Sequence, residues 1–194
     1  DAEYNVLCKI RSMPNSAYLL DNADFALGIV TGNNKEYISD IKNENNEMIL
    51  KGADICKYHI TRTNNYIVFK PENFQQAAPT EMYRSPEKLL YRFISSQLVF
   101  AYDDKQTLSL NSCNIVIPRL PGIKIKYVLA ILNSRIAQFI YKKEFNSVKV
   151  LRSHIENIPI PTADASTQAE IIALTDKLIS VLQAAEAEKV YDEL

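Results

Sequence analysis

The sequence predicts an α+β domain: a twisted, mostly antiparallel sheet with packed helices and a long C-terminal amphipathic helix. Three observations carry this. Three β-like runs, "KLLYRFIS", "QLVFAYD" and "LSLNSCNIVIP", are separated only by Ser95-Ser96 and by Asp103-Asp104-Lys105-Gln106. Connections that short favour an antiparallel meander. From Lys124 the apolar period changes from alternation to threes and fours. After the prolines of "IENIPIP" a second such stripe runs towards the C-terminus.

Taken in order, Leu7 to Leu20 is amphipathic but interrupted by Pro14, which fits a short helix or a loop. "DFALGIV" reads as a strand entering a glycine turn. "NNKEYISDIKNENNEMILKG" is polar and asparagine-rich, a surface excursion. "YHITRTNNYIVF" alternates about Asn64-Asn65 and predicts a hairpin there. Pro71 to Pro86 has prolines without apolar periodicity, a loop. Tyr127, Val128, Ile131, Leu132, Ile136, Phe139 and Ile140 define a helix, jogged near Asn133-Ser134. "IENIPIP" ends regular structure, because two prolines two apart do not fit a helix interior. Thr167 to about Tyr191 is one helix, opened by a Thr167-x-x-Glu170 capping box. Its stripe is Ile171, Leu174, Leu178, Val181 and Ala185. The boundary before it divides the chain into residues 1–161 and a terminal helix unit, residues 162–194.

Composition is that of a soluble globular protein, 47% hydrophobic and 23% charged. No apolar run approaches the roughly 18 residues of a membrane span, and no signal-peptide pattern opens the chain. The three cysteines, Cys8, Cys56 and Cys113, are odd in number and far apart, as reduced thiols in a cytoplasmic protein would be. A start at Asp1 suggests a piece of something longer. The net charge of −1 hides an asymmetry: residues 1–50 carry −4, residues 51–152 carry +9, and residues 153–194 carry −6. Such a basic middle suggests a polyanion contacted by one part of the surface; scattered solubilising lysines are the alternative.

Tests for chemistry fail. Gly28 and Gly32 fit neither a Walker loop nor a dinucleotide loop. Cys56-x-x-His59 has ligand-like spacing, but only His154 and two distant cysteines could complete a tetrahedron, so no metal site is expected. Two histidines and no Gly-x-Ser-x-Gly leave little material for a nucleophilic triad. Asp103-Asp104-Lys105 has a faint nuclease character but reads better as a turn. No catalytic residue is expected.

Five pieces nevertheless fall into a known order. "GIVTGNNKEYI" resembles the Gly-Ile-x-Thr-Gly-x-Asn-x-x-Phe signature of the TaqI-like target-recognition domain. "ILKGADICKY" is similar to its Leu-x-Gly-x-Asp-Ile-x-x-Tyr element, and "EKLLYRFISSQLVFAYDDKQTLSLNS" to its Pro-Lys-Ile strand pair. "YVLAILNSRIAQFIYKK" resembles its Tyr-Leu-Leu-x-x-Leu-Asn-Ser helix, and "VLRSHIENIPIP" its closing Ile-Pro-Ile-Pro. Two departures stand out: Glu87-Lys88 replaces the usual Pro-Lys, and the interval before it shrinks to about Pro71 to Glu87.

The resemblance implies a non-catalytic domain that selects sequences in double-stranded DNA for a restriction-modification protein. Related domains form type I specificity subunits. Residues 1–161 would be the recognition domain, and residues 162–194 a spacer or packing helix. The partners implied are double-stranded DNA and a methyltransferase or nuclease module of the same protein, with no membrane. S-adenosylmethionine and Mg belong to those catalytic parts and no cofactor to this domain; the Asn-Pro-Pro-Tyr methylase motif is absent here. A protein-interaction module within such an assembly is the alternative function.

The DNA-contact candidates are Asn33, Asn34, Lys35, Lys57, Arg62, Asn64, Arg84, Lys88, Lys105, Lys149 and Arg152, with the central cations expected to converge on one concave surface. The opening glycine turn has a purely structural reading as well as this one. In the acidic last helix, Ile171, Leu174, Leu178 and Val181 must bury against this domain, a second copy in a homodimer, or the catalytic module.

Overall fold

The computed structural model describes residues 2–192. The chain begins with α1 (Ala2–Arg11), β1 (Ser16–Ala17) and β2 (Ala23–Ala26). A helical turn, α2 (Asn34–Tyr37), leads to β3 (Ile38–Ser39), β4 (Glu47–Leu50) and β5 (Tyr66–Ile67). After α3 (Thr80–Tyr83) come β6 (Lys88–Arg92), β7 (Phe100–Asp103), β8 (Leu108–Ser109) and β9 (Cys113–Pro118). The last part is helical: α4 (Ile125–Leu132), α5 (Arg135–Ile140), α6 (Arg152–Glu156), the short β10 (Ile160–Pro161) and α7 (Ala165–Asp192).

The expected α+β architecture is present, built as three layers. The central sheet has the order β2-β9-β6-β7 and is antiparallel throughout, with Leu89 opposite Val116 and Lys88 opposite Asp103. Both its faces are buried, which explains runs as continuous as "KLLY" and "NIVI". Side chains alternate between two cores. Leu89, Tyr91, Phe100 and Val116 meet the helical layer with Tyr127, Val128, Leu132, Ile140 and Ile155. Leu90, Ala101, Ile115 and Ile117 meet the other layer with Ile49, Leu50, Ile67 and Leu108. That layer is a smaller sheet, β3-β5-β4-β8, in which β4 and β8 run parallel.

The jog expected at Asn133-Ser134 separates α4 from α5 and does more than bend the chain. The Asn133 amide accepts from Phe100 N–H (3.0 Å) and donates to Phe100 C=O (2.9 Å). The Gln138 amide pairs the same way with Leu98, at 2.8 and 3.0 Å. Two side chains thus cover the open edge of the sheet at β7, satisfying backbone groups that a missing strand would leave bare.

Several expectations need correction. The first helix lies at Ala2–Arg11, ahead of Pro14, and no hairpin turns at Asn64-Asn65. The chain reverses earlier, where Tyr58 takes φ 75° and Cys56 N–H bonds His59 C=O, and β5 becomes the middle strand between β3 and β4. The third β-like run does not complete a meander. A turn closed by Cys113 N–H on Leu110 C=O splits it, sending β8 to the small sheet and β9 between β2 and β6.

The last helix starts at Ala165 and is capped by Asp164, which accepts from Thr167 N–H at 2.7 Å, so Thr167 is not the cap. Its packed face is also different. Gln168, Ile171, Ile172, Thr175 and Ile179 turn inward, whereas Leu174, Leu178 and Val181 are 68%, 39% and 57% exposed. Gln168 decides the register: its amide accepts from Lys124 N–H at the start of α4 and donates to Gly122 and Ala163 C=O. Of the expected stripe, only Ile171 helps bury this helix on its own domain.

Candidate nucleic-acid interface

The glycine turn after β2 is a structural device that creates a surface. A Cβ on Gly28 would stand 2.1 Å from the carbonyl oxygen of Leu110. Only glycine lets the following residues press on the β8–β9 turn, where Ile29 N–H bonds Ser109 C=O (2.7 Å) and Asn111 N–H bonds Ile29 C=O (3.1 Å). On its other side the same stretch pairs with the proline-rich loop: Val30 and Gln76 exchange hydrogen bonds of 2.9 and 3.0 Å. Tyr83 ties that loop down, donating to Leu27 C=O and accepting from Ala78 N–H.

Residues 31–35 therefore stand between Asn111 and Gln75 on fixed supports. Gly32 adopts φ 84°, and the Gln75 Oε1 lies 3.3 Å from where its Cβ would be. Buried Thr31 donates to Asn34 Oδ1 at 2.6 Å, and the Asn33 amide makes a 3.3 Å bond to Glu36. A concavity of about 390 Å³ is lined by Val30, Thr31, Gly32, Asn33, Asn34, Lys35, Gln75 and Asn111. A second, of about 540 Å³, shares Asn34 and Lys35 and adds Ile38, Ser39, Asp40, Lys51 and Asn65. The two adjoin at Asn34 and Lys35, and together they present a polar trough rich in amides. Among the described residues Gln75 and Asn111 have no side-chain partner, and Lys35 and Lys51 have no carboxylate partner.

The other candidates do not all join it. Lys88 is a correction: its side chain is 0% exposed, and Nζ bonds Asp103 Oδ2 (2.5 Å) and Tyr83 C=O (2.8 Å) in the core. Burial lowers the ammonium's pKa against the pull of Asp103. Arg84 is a second correction. Its guanidinium forks onto both Glu47 oxygens (2.8 and 2.5 Å), bonds Gln106 C=O and stacks on Phe69, so its fork is committed within the chain.

Arg62 and Lys105 line a separate concavity with Tyr102, Asp104 and Gln183. Arg152 lines a third with Phe25 and Tyr91, stacked on Phe25 and paired with Glu156 at 2.6 Å. Asn64 and Lys149 are exposed, and Lys57 is half-buried. The central cations thus occupy several places rather than one concave face. Many are neutralised locally: Arg119 by Asp24, Lys126 by Asp176, and Lys143 by Glu3.

Sequence reasoning missed Gln75, Asn111 and Asn65. Each sits in irregular chain where no periodicity marks a functional side chain. A faint nuclease centre at Asp103 also fails, since that carboxylate is filled by Lys88, Thr107 N–H (3.0 Å) and Thr107 Oγ1 (2.7 Å). Among the described residues no three His, Cys, Asp or Glu side chains are grouped to hold a metal ion.

Comparison with known proteins agrees with the architecture. The HsdS subunit from Thermoanaerobacter tengcongensis superposes with a TM-score of 0.51 at 15% identity, over 97% of this chain and 44% of that one. A chain from a structure describing complex assembly and conformational transition of the type I R-M system gives a TM-score of 0.55 at 14% identity, over 98% and 49%. At such identity the likeness is one of fold, and this chain spans less than half of either relative. No curated protein matches it. The model of the TaqI-like C-terminal specificity domain matches residues 47–160, more than half of the sequence, and the chain belongs to that family.

Proposed function

We propose that the chain is a non-catalytic domain that recognises a sequence in double-stranded DNA for a restriction-modification protein. The adenine-N6 methyltransferase or nuclease chemistry, with its S-adenosylmethionine and Mg, resides elsewhere in the parent. The observation that carries this is the amide-rich trough, with unpaired Lys35 and Lys51, built on rigidly held loops of a specificity-domain fold. Loops on a fixed scaffold are where sequence-reading side chains belong, and lysines without local counter-ions supply the phosphate attraction. Among the described residues no helix is long and apolar enough to cross a membrane. An electrophoretic shift against randomised duplexes at low salt tests the proposal. Binding should weaken steeply with salt, and Lys35→Ala should make the log–log salt slope shallower by about 1. No shift at tens of micromolar chain would refute it.

A second role rests on the exposed stripe Leu174, Leu178 and Val181 of α7. Apolar side chains at helical spacing on an outer face fit a second helix, either from another copy of the chain or from the catalytic module. Sedimentation of the chain and of a Leu174→Glu/Leu178→Glu variant tests the first occupant: self-association lost in the variant supports it, and a monomeric parent chain refutes it.

A further inference from the structure

The trough's free amides are suited to one kind of base pair. In the major groove an adenine presents an acceptor beside a donor, which an Asn or Gln amide meets with two hydrogen bonds. Guanine presents two acceptors and is met by an arginine or a lysine; cytosine's amino group needs a carboxylate. Among the described residues no arginine lines the trough; its cations are Lys35 and Lys51, without local counter-ions and open to phosphate, and its one carboxylate, Asp40, lies in the outer concavity.

The amides also differ in readiness. Asn34 has its oxygen occupied by Thr31, and Asn33 is engaged with Glu36. Gln75 and Asn111 are exposed with both amide atoms free. Both are mounted on fixed backbone. Asn111 bonds Ile29 C=O directly after the Leu110 contact that only Gly28 permits, and Gln75 sits between buried Phe74 and the paired Gln76. With the backbone already fixed, only side-chain rotamers remain to be ordered on binding.

We propose that this trough reads A·T base pairs from the major groove, with Gln75 and Asn111 as the adenine-contacting side chains. The inference rests on the DNA-recognition reading above. The test is selection of preferred duplexes from a random pool by the chain and by Gln75→Ala and Asn111→Ala variants, followed by 7-deazaadenine substitution at preferred positions. Both residues are exposed, and thermal melting verifies that the variants fold. The expected result is at least one position where A exceeds the other bases by roughly 5- to 150-fold, the discrimination of one bidentate contact. That preference should flatten in one variant while binding to random duplex persists. 7-Deazaadenine, lacking the N7 acceptor, should cause the same loss in the parent chain and no further loss in that variant. Gln75→Glu should move the preference at its position from A towards C.

A site read only at G·C pairs, or an adenine preference unchanged in both alanine variants, overturns the amide assignment and leaves DNA recognition standing. Absence of any duplex binding overturns both.

Discussion

Removing the carboxylate of Asp103 should cost more than removing the entire ion pair it forms. Lys88 and Asp103 face each other across β6 and β7 with side chains 0% and 1% exposed. In Asp103→Ala the ammonium keeps only Tyr83 C=O at 2.8 Å, and an orphaned buried charge costs about 3–5 kcal/mol. In a chain of this size each kcal/mol moves the melting midpoint by about 2–4 °C, so a fall of roughly 6–20 °C is expected. The double variant Lys88→Met/Asp103→Leu removes both charges; it leaves Thr107 N–H and Oγ1 and Lys105 N–H without the acceptor that the single variant also lacks, and Tyr83 C=O without its donor, a loss of about 1–3 kcal/mol for each group that stays buried and unsatisfied. The single variant should therefore be less stable than the double. Burial holds the Lys88 pKa below the lysine range, so the folded state sheds that proton more readily than the unfolded one. With its counter-charge gone the effect grows, and the stability of Asp103→Ala should rise as pH is raised above neutral. Urea unfolding followed by circular dichroism, with the variants compared at neutral and alkaline pH, measures all of this. A loss below about 1 kcal/mol in Asp103→Ala, far under the cost of a stranded buried charge, would refute the reasoning. So would a double variant as unstable as the sum of the singles.

Gly28→Ala puts a methyl group 2.1 Å from the Leu110 carbonyl oxygen and 2.8 Å from Asn111 N, backbone atoms that cannot swing aside. It should cost ~3 kcal/mol, the upper end of overpacking, measured by urea unfolding, and should weaken binding to selected duplexes by displacing Asn111. His154 stacks on Phe145 at 4.5 Å and accepts Leu151 N–H on Nδ1, and burial lowers its pKa below 6.5. Its folded pKa lies below its unfolded one, so stability present above pH about 6.5 is lost as pH falls below it. Unfolding midpoints at pH 7.5 and 5.5 should show the loss, and His154→Phe should flatten it. Cys8 is exposed and Cys56 partly so, whereas burial drives the Cys113 thiol's pKa far up. A thiol reagent should modify the first two in the folded state and reach Cys113 only on unfolding.

The fold was legible where the apolar period is unambiguous. β6, β7 and β9 are buried on both faces and read as near-continuous apolar runs, and the Asn133-Ser134 jog shows as a break in a helical stripe. Spatial order was not legible, because β8 and β9 lie in one apolar run and part company at a turn that only tertiary pairing selects. Lys88 misled for a physical reason. A lysine at the head of a strand looks like a surface cation, and its partner Asp103 is 15 residues away on a strand whose register the sequence does not give. The one available signal is that Lys88 opens the run "KLLY" on a strand buried on both faces. In α7 the 3-4 pattern held two apolar faces at once, and the strongest stripe was the one left outside. The choice between them came from Gln168, a polar side chain that no hydrophobic pattern records.

Under the DNA-recognition reading, the charge asymmetry bears on binding for a reason different from the one composition suggests. Much of the central excess is cancelled on the spot: Arg84, Lys88, Arg119, Lys126, Lys143 and Arg152 each hold a carboxylate. Three of these cations are arginines, Arg84, Arg119 and Arg152, and a guanidinium engaged by a carboxylate has less to offer a base. Under the DNA-recognition reading the remaining free lysines supply affinity that salt removes, while discrimination passes to neutral amides that salt does not touch. The two contributions should therefore separate experimentally. Raising salt should lower the affinity of chosen and random duplexes together and leave their ratio nearly constant, whereas the alanine variant that flattens the adenine preference, at Gln75 or at Asn111, should lower the ratio at any salt. A ratio that decays with salt as steeply as the affinity would place discrimination on the cations and take it away from the trough's amides.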